Sequence, residues 1–284
     1  MPVDLYVGGA EHAVLHLLYA RFWHKVLFDI GLVSTPEPFT KLIHQGTILG
    51  EDNRKMSKSV GNVVSPDDMI DDYGADALRL YEMFMGPLEA SKPWSSKSVE
   101  GIARFLDRVW RLFVAEDGAS VVDAFDAPPE LHRVLHQTIK KVTDDLEALK
   151  FNTAISQLMV FVNEVTKLGV RPRAVLEPFV LLLNPFAPHL AEELWHRLGH
   201  SESCAYVPWP VYDPASIVDD RVTVAVQING KLRATLDLPR GVAQDTAHAA
   251  ARDDARVQRY LDGAELRKVI YVPDKLLNLV VAGK

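Results

Sequence analysis

Two lysines lie three residues apart in the segment Lys55-Met56-Ser57-Lys58-Ser59, which we call the lysine loop. Two ammonium groups at this spacing can close over a polyphosphate and neutralise the charge that develops as a bond to phosphorus breaks. Gly50 before the loop and Gly61-Asn62 after it favour the mobility that closure requires. A pair of lysines on a solvated surface is the alternative interpretation, because Lys is long and strongly hydrated.

A second group of polar residues follows a short apolar run near the N-terminus and comprises Gly8, Gly9, Glu11, His12 and His16. The glycines lack a Cβ, so a flat ring can approach the backbone closely, and Glu11 can accept hydrogen bonds from ribose hydroxyls. The histidines are spaced to share one helical face, but Glu11 does not complete an H-E-x-x-H order, so no metal site is predicted. A capped helix with two partly buried histidines explains the same residues.

The elements that must position these groups alternate between strand and helix. The sequence predicts a strand over 4–7, a helix over 11–29 and a second strand over 41–49. A strand that turns on two glycines into a helix is typical of half of a nucleotide-binding α/β unit. The second strand is expected to bring Gln45-Gly46 towards the base of the lysine loop.

Beyond the lysine loop the pattern is helical. Ser65 and Pro66 are predicted to cap and begin a helix, and a second helix is expected over 75–85. Apolar residues then recur at i, i+3, i+4 and i+7 from 99 to about 198, which predicts an antiparallel bundle. The first helix of this bundle begins at about residue 99. Four further helices are expected over about 130–149, 152–168, 174–183 and 187–198.

The last part of the chain is predicted to be a small β-β-α-β-β module after a linker that contains Pro208, Pro210 and Pro214. Asn229-Gly230 between two apolar runs is a strong hairpin signal. The expected strands span 222–228, 231–238, 268–272 and 276–281, with one helix over 243–260. The fold class is therefore multidomain, α/β plus all-α.

Composition limits the classes of protein that the chain can represent. Its 284 residues allow two or three domains, and one cysteine excludes an intrachain disulfide framework and a multi-cysteine zinc site. No secretory signal and no membrane span are expected. The net charge of −7 divides into +4 over 221–284 and −11 over the rest. Attraction of the basic end to a polyanion and ordinary solvated faces both explain that asymmetry.

The lysine loop resembles the KMSKS motif of the class I aminoacyl-tRNA synthetases, and the match continues through Gly61-Asn62. The segment 73–79 is similar to the next block of that family. Within the class, the chain resembles the leucyl-tRNA synthetases over essentially its whole length. The segments with this specific resemblance are 2–12, 15–22, 184–189 and 272–281.

Two parts of the family pattern do not occur in this sequence, namely the H-x-G-H tetrad and the inserted editing domain. The resemblance therefore implies the C-terminal portion of such an enzyme, either a subunit of a split enzyme or a shortened chain. Its expected domains are the C-terminal half of a Rossmann-like catalytic domain (1–62), a connecting helical segment (63–95), a helical anticodon-binding bundle (96–215) and a C-terminal tRNA-binding module (220–284). The expected partner is the N-terminal half that bears H-x-G-H.

The resemblance also implies roles for individual residues. Leucine would react with ATP, a substrate that binds with Mg²⁺, and the leucyl group would pass to tRNA(Leu). Lys55 and Lys58 would hold the β- and γ-phosphates and stabilise the departing pyrophosphate. The residues expected to contact ATP are Gly8, Gly9, Glu11, Met56, Ser57 and Ser59, and those expected at the leucine pocket are His12 and His16.

The expected location of this activity is the cytoplasm, without a membrane partner. The valyl and isoleucyl enzymes share the lysine loop, but they usually end in a coiled coil or a cysteine-rich zinc module, which this sequence lacks. The alternative from another class of function is a non-catalytic tRNA-binding or scaffold protein derived from the synthetase. Binding of tRNA without ATP-dependent chemistry would distinguish it.

Overall fold

The computed structural model describes residues 1–217 and 221–282, and the chain forms two compact units, 1–216 and 217–284. The boundary that the sequence predicts at residue 220 lies outside the described residues. The strands β1 to β8 are Tyr6–Gly9, Leu42–Gln45, Ile48–Leu49, Lys92–Pro93, Arg221–Ile228, Lys231–Pro239, Leu266–Val272 and Leu276–Val281. The helices α1 to α10 are His16–Asp29, Pro66–Tyr73, Ala75–Phe84, Ser96–Phe113, Pro129–Glu147, Phe151–Leu168, Arg173–Leu183, Pro188–Arg197, Gln244–Asp253 and Ala255–Leu261.

The first unit begins with a β-α-β element, as predicted. Strands β1 and β2 pair in parallel, with Tyr6 opposite Leu42 and Gly9 opposite Gln45, and α1 connects them. The single strand predicted over 41–49 is wrong, because the chain leaves this sheet after Gln45. Strand β3 instead pairs in parallel with β4.

Gly46 explains the break between β2 and β3. Its N–H donates to the carbonyl of Leu88 at 2.8 Å, and a Cβ at this position would lie 2.2 Å from the backbone of Ala90. Real Cβ atoms do not approach so closely, so only glycine permits this contact. The contact redirects the strand towards a segment that lies more than 40 residues later in the chain.

The helix predicted over 11–29 is also interrupted. Residues Ala10–Ala13 form a 3-10 turn, and α1 begins at His16 after Leu15 adopts a non-helical conformation with φ −111° and ψ −107°. His12 and His16 therefore do not share the face of one α-helix. The expectation that they form an i, i+4 pair is wrong.

Large apolar side chains remain exposed around β1, β2 and α1. Phe22, Trp23 and Leu32 are 64%, 60% and 70% exposed, and His24 is the one buried residue of α1. Parallel sheets are normally covered on both faces, and a two-stranded sheet cannot bury them by itself. This part of the first unit is thus an incomplete α/β layer.

The helices α2 to α8 share one hydrophobic core, which contains the helices predicted for the bundle and also α2 and α3, which the sequence analysis assigns to a separate connecting segment. Phe161 of α6 and Phe179 of α7 stack with ring centroids 4.6 Å apart, and both are fully buried. Asp76 of α3 accepts hydrogen bonds from the backbone N–H of Leu190 and from Nδ1 of His189, at 2.7 and 2.8 Å. This carboxylate joins α3 to the first turn of α8.

The start of α2 corrects one detail of the sequence analysis. Pro66 is the first helical residue, as predicted, but the Ser65 side chain makes no capping hydrogen bond.

Further along the chain, part of the predicted proline-rich linker packs against α5. Trp209 Nε1 donates to Thr143 Oγ1 at 2.8 Å, and the Asp213 N–H donates to His136 Nδ1 at 3.0 Å.

The second unit is a four-stranded sheet in the order β6-β5-β8-β7, with α9 and α10 following the hairpin in sequence. Asn229 and Gly230 both have positive φ, at 49° and 78°, as a tight hairpin turn requires. The single helix predicted over 243–260 is wrong, because Asp254 is extended and its side chain caps α10 by accepting the Arg256 N–H. No helix within 1–217 and 221–282 is long and apolar enough to cross a membrane.

Candidate functional site

The lysine loop lies between two tight backbone turns. The Gly50 N–H donates to the Arg54 carbonyl at 2.8 Å, and the Gly61 N–H donates to the Ser57 carbonyl at 3.0 Å. The first turn is tied to α4, because Glu51 Oε1 accepts hydrogen bonds from the backbone N–H and hydroxyl of Ser96 at 3.0 and 2.9 Å. These bonds hold the pKa of the Glu51 carboxyl below its usual range. The base of the loop is thereby anchored to the helical part of the unit.

Met56 and the two lysines occupy contrasting environments. Met56 is partly buried and packs against the core of the first unit, whereas Lys55 and Lys58 are exposed. Within the described part of the chain, neither ammonium group has a hydrogen bond or an ion pair. The methionine thus anchors the loop and leaves both cations available to an anionic ligand. The predicted approach of Met56 to adenosine stays a prediction.

The side chain of Asn62 crosses the lysine loop. Its Oδ1 accepts the Ser57 N–H at 2.9 Å, and its Nδ2 donates to Asp52 Oδ1 at 3.0 Å. The bond from Asn62, followed by those from Arg54, holds the pKa of the Asp52 carboxyl below its usual range. The sequence alone places Asn62 in the mobile segment beside the lysine loop and predicts no role for Asp52. The feature that could have identified Asn62 is an amide side chain directly after a loop glycine.

The serines of the lysine loop bond to each other. The Ser57 and Ser59 hydroxyl oxygens are 2.7 Å apart, and the Ser59 N–H donates to Ser57 Oγ at 3.3 Å. Both hydroxyls lie on the loop segment that contains Lys58. The bond between the hydroxyls uses one of their two O–H donors, and the other can donate to a phosphate oxygen, so their predicted contacts with ATP stay predictions.

Gly9 and Glu11 form a compact pair at the end of β1. A Cβ on Gly9 would lie 2.3 Å from Glu11 Oε2, so the carboxylate sits directly over the glycine backbone. Gly8 is buried, and a Cβ there would lie 3.3 Å from Tyr6 Cε1. The two glycines therefore allow the protein's own Glu11 carboxylate and Tyr6 ring to lie against the strand end, and the predicted approach of a ligand ring stays a prediction.

The two histidines occupy different surroundings. Nδ1 of His16 lies 2.9 Å from the Tyr6 hydroxyl, and its ring stacks on Tyr6 and meets the edges of Tyr19 and Phe39. His12 is partly buried, and its Nδ1 has no hydrogen-bond partner within the described residues. His16 thus belongs to an aromatic cluster, and its predicted contact with leucine stays a prediction.

A cavity of about 670 Å³ opens beside the ends of β1 and β2. Its polar wall includes Glu11, Gln45, Glu82 and Lys92, and Phe151 and Phe186 contribute apolar surface. Burial raises the pKa of Glu82 and lowers the pKa of Lys92, so it favours the neutral form of both groups. Gly9 and Glu11 are the predicted site residues among its lining, which contains no lysine-loop residue and neither His12 nor His16.

Comparison with known protein families agrees with this arrangement. Residues 2–92 match the family of class I tRNA synthetases for I, L, M and V, and residues 130–247 match the anticodon-binding domain of tRNA ligase. The first match covers the β-α-β element and the lysine loop and ends at the first residue of β4. The chain therefore resembles parts of class I tRNA synthetases.

Individual relatives identify the branch of the class. The chain is 56% identical over all 284 residues to a leucine–tRNA ligase of Leptospira biflexa serovar Patoc, and covers 33% of it. It is 57% identical over 99% of its length to that of Chlorobium phaeobacteroides, and covers 35% of it. The chain is similar over its whole length to part of these leucine–tRNA ligases and spans about a third of their length.

A solved structure resembles the chain over nearly its full length. It is the ternary complex of Agrobacterium radiobacter K84 agnB2 LeuRS with tRNA and LeuAMS, and it is 34% identical with a TM-score of 0.76. The match covers 99% of this chain and 38% of that one. The predicted resemblance to the leucyl enzymes and the mixture of α/β and helical parts are confirmed.

Proposed function

We propose that this chain supplies the lysine loop and the tRNA-binding parts of an enzyme that activates leucine with ATP and transfers it to tRNA(Leu). The observation that carries this proposal is the lysine loop itself. It is anchored by Met56 and leaves the ammonium groups of Lys55 and Lys58 unpaired within the described residues. Cations held in this way suit a polyphosphate whose charge increases during the reaction.

The proposed reaction has two steps. The leucine carboxylate attacks the α-phosphorus of ATP, the bond to the bridging oxygen of the β-phosphate breaks, and pyrophosphate leaves with that electron pair. Lys55 and Lys58 stabilise the charge on the leaving group, and Glu11 accepts a hydrogen bond from a ribose hydroxyl. A terminal ribose hydroxyl of tRNA then attacks the leucyl carbonyl and releases AMP. Mg²⁺ arrives with ATP as part of the substrate.

The exposed apolar surface supports the proposed partner. Large side chains such as Phe22 of α1 and Leu32, which follows α1, are open to solvent. Strands on one or both edges of this sheet would bury them and would complete a nucleotide-binding sheet. We propose that a polypeptide bearing the H-x-G-H half packs on this surface. The complete site would operate in the cytoplasm, where tRNA is charged.

The second unit offers chemistry that suits RNA. Lys231, Arg233, Arg259 and Tyr260 line a pocket of about 390 Å³. The Arg233 guanidinium lies 4.2 Å from the centroid of the Tyr260 ring. Cations bind phosphates and a partly exposed aromatic ring can stack on an unpaired base. We propose that this surface contacts tRNA together with the helical bundle.

Replacing Gly9 with alanine should displace the Glu11 carboxylate, because the new Cβ would lie 2.3 Å from Glu11 Oε2. We expect the Michaelis constant for ATP in the completed enzyme to rise about 10- to 100-fold, as for the loss of a hydrogen bond to a charged group. Steady-state pyrophosphate exchange at varied ATP measures it. The variant Glu11→Ala should give the same rise. A double variant that is clearly worse than Glu11→Ala would show that Gly9 acts independently of Glu11.

Charging of tRNA tests the proposed function. The chain and the complementing polypeptide are mixed with tRNA, MgATP and radiolabelled leucine, and acid-stable leucyl-tRNA is counted. We expect leucine to be attached only when both polypeptides are present. Association of the two polypeptides and binding of tRNA without any charging would contradict the proposal and favour a non-catalytic tRNA-binding protein.

A further inference from the structure

We propose that Gly50, Asp52 and Asn62 form a clamp that sets the conformation of the lysine loop and that makes Asn62 a positioning residue for the phosphate chemistry. The name Asn62 clamp refers to these three residues. The inference about chemistry rests on the proposed function, whereas the inference about loop conformation concerns the chain alone.

Asn62 uses both ends of its amide. Oδ1 accepts the Ser57 N–H at 2.9 Å, while Nδ2 donates to Asp52 Oδ1 at 3.0 Å and to the Lys55 carbonyl at 3.3 Å. One side chain thus bridges the turn before the lysine loop, the first lysine and the middle of the loop. Each bond constrains backbone that would otherwise be free to rotate, so the amide reduces the conformations that the loop samples.

Asp52 is itself fixed as an acceptor. It receives the Arg54 backbone N–H at 3.0 Å and the Arg54 Nε at 2.8 Å, in addition to the Asn62 amide. These bonds lower the pKa of its carboxyl. The carboxylate therefore stays charged at neutral pH and accepts a strong hydrogen bond from Asn62.

Gly50 provides the space for the clamp. A Cβ at this position would lie 2.8 Å from Asn62 Nδ2 and 2.8 Å from Asp52 Oδ1, the two atoms that bond to each other. Asn62 Nδ2 and Asp52 Oδ1 are side-chain atoms and can move away from the new Cβ. That movement would break the hydrogen bond between them and therefore the clamp. A methyl group at position 50 should therefore have the same effect as the loss of the Asn62 amide.

The clamp leaves the reactive groups untouched. The bonds of Asn62 involve backbone atoms of Lys55 and Ser57, and both lysine side chains stay free of partners in the described part of the chain. The loop backbone is ordered before any ligand arrives. Because the loop backbone is already ordered, the reaction does not have to provide the entropy cost of ordering it. The chemical step is therefore faster.

Hydrogen exchange of the Ser57 amide in the intact chain tests the loop conformation. We expect Asn62→Ala and Gly50→Ala to speed this exchange about tenfold, the effect of one lost hydrogen bond. Val63→Ala, which truncates the exposed neighbour of Asn62, should leave it unchanged. Unchanged exchange in Asn62→Ala would overturn the clamp whatever the activity.

An exchanged pair provides the rescue. Asn62→Asp alone should speed Ser57 exchange, because two carboxylates then face each other. In the double variant Asp52→Asn/Asn62→Asp, the amide at position 52 donates to the carboxylate at position 62, which still accepts the Ser57 N–H. We expect this variant to exchange more slowly than Asn62→Asp but faster than the original chain, because the carboxylate at position 62 cannot donate to the Lys55 carbonyl and the donating amide at position 52 cannot accept the Arg54 N–H. Exchange as fast as in Asn62→Asp would overturn the assigned hydrogen bond.

Pyrophosphate exchange in the completed enzyme tests the positioning role. We expect kcat to fall about tenfold in Asn62→Ala with the leucine KM unchanged, and to be higher in the double variant than in Asn62→Asp. Unchanged kcat with fast Ser57 exchange would overturn the role in chemistry. An inactive wild-type mixture with fast Ser57 exchange in Asn62→Ala would contradict the proposed function and support the clamp.

Discussion

Replacing Lys58 with alanine is expected to slow leucine-dependent ATP–pyrophosphate exchange about 10²- to 10³-fold in the completed enzyme, as for the loss of one transition-state donor. Lys58 is exposed and has no partner within the described residues, so its loss should not destabilise the fold. The loss should therefore appear in kcat, because the charge on the leaving pyrophosphate is greater in the transition state than in bound ATP.

Two variants make the Lys58 result specific. Lys58→Arg keeps the charge but changes its shape and should recover part of the rate. Lys268→Ala removes an exposed lysine from β7 and should leave pyrophosphate exchange at its original rate. A loss below about threefold in Lys58→Ala would mean that the lysine loop does not stabilise the leaving group.

Reversing the charges of Lys231, Arg233 and Arg259 should weaken tRNA binding at low salt by at least about tenfold. It should also reduce the slope of log affinity against log salt by about two to three. These residues line one pocket of the second unit, and each bound phosphate releases condensed counterions. Binding of tRNA at several salt concentrations, followed by filter retention, gives both quantities.

The matched control for the charge reversals lies between two of the altered residues. Leu232→Ala truncates a side chain that is 59% exposed and leaves the charge unchanged, so its salt slope should equal that of the original chain. Removal of 221–284 should reduce the slope at least as much as the charge reversals. An unchanged slope after that removal would contradict the assignment of tRNA contacts to the second unit.

Local sequence patterns predicted those elements whose determinants are local. The hairpin at Asn229-Gly230 follows from two residues that tolerate positive φ, and Pro66 begins α2 as its fixed φ favours. The amphipathic helices of the bundle follow from apolar spacing. In each case the residues that determine the element lie within it or directly beside it.

One error arose where a distant contact determines the backbone, and another where a side chain caps a new helix within the predicted one. Gly46 ends β2 because it meets Ala90, a residue that no local pattern connects to it. The interruption of the predicted helix at Asp254 depends on a carboxylate that accepts the Arg256 N–H in place of continuing the helix. In the site, the lysines were recognisable by type and spacing. The bonds of Asn62 were not, because an amide has many possible partners in a loop.

The most direct test of the account is ATP–pyrophosphate exchange with leucine, measured on the chain alone, on the complementing polypeptide alone and on their mixture. We expect exchange only in the mixture, because the lysine loop and the H-x-G-H half would then form one site. Exchange by the chain alone would contradict the need for a partner. No exchange in a mixture whose components are folded and associated would contradict the catalytic role of the lysine loop.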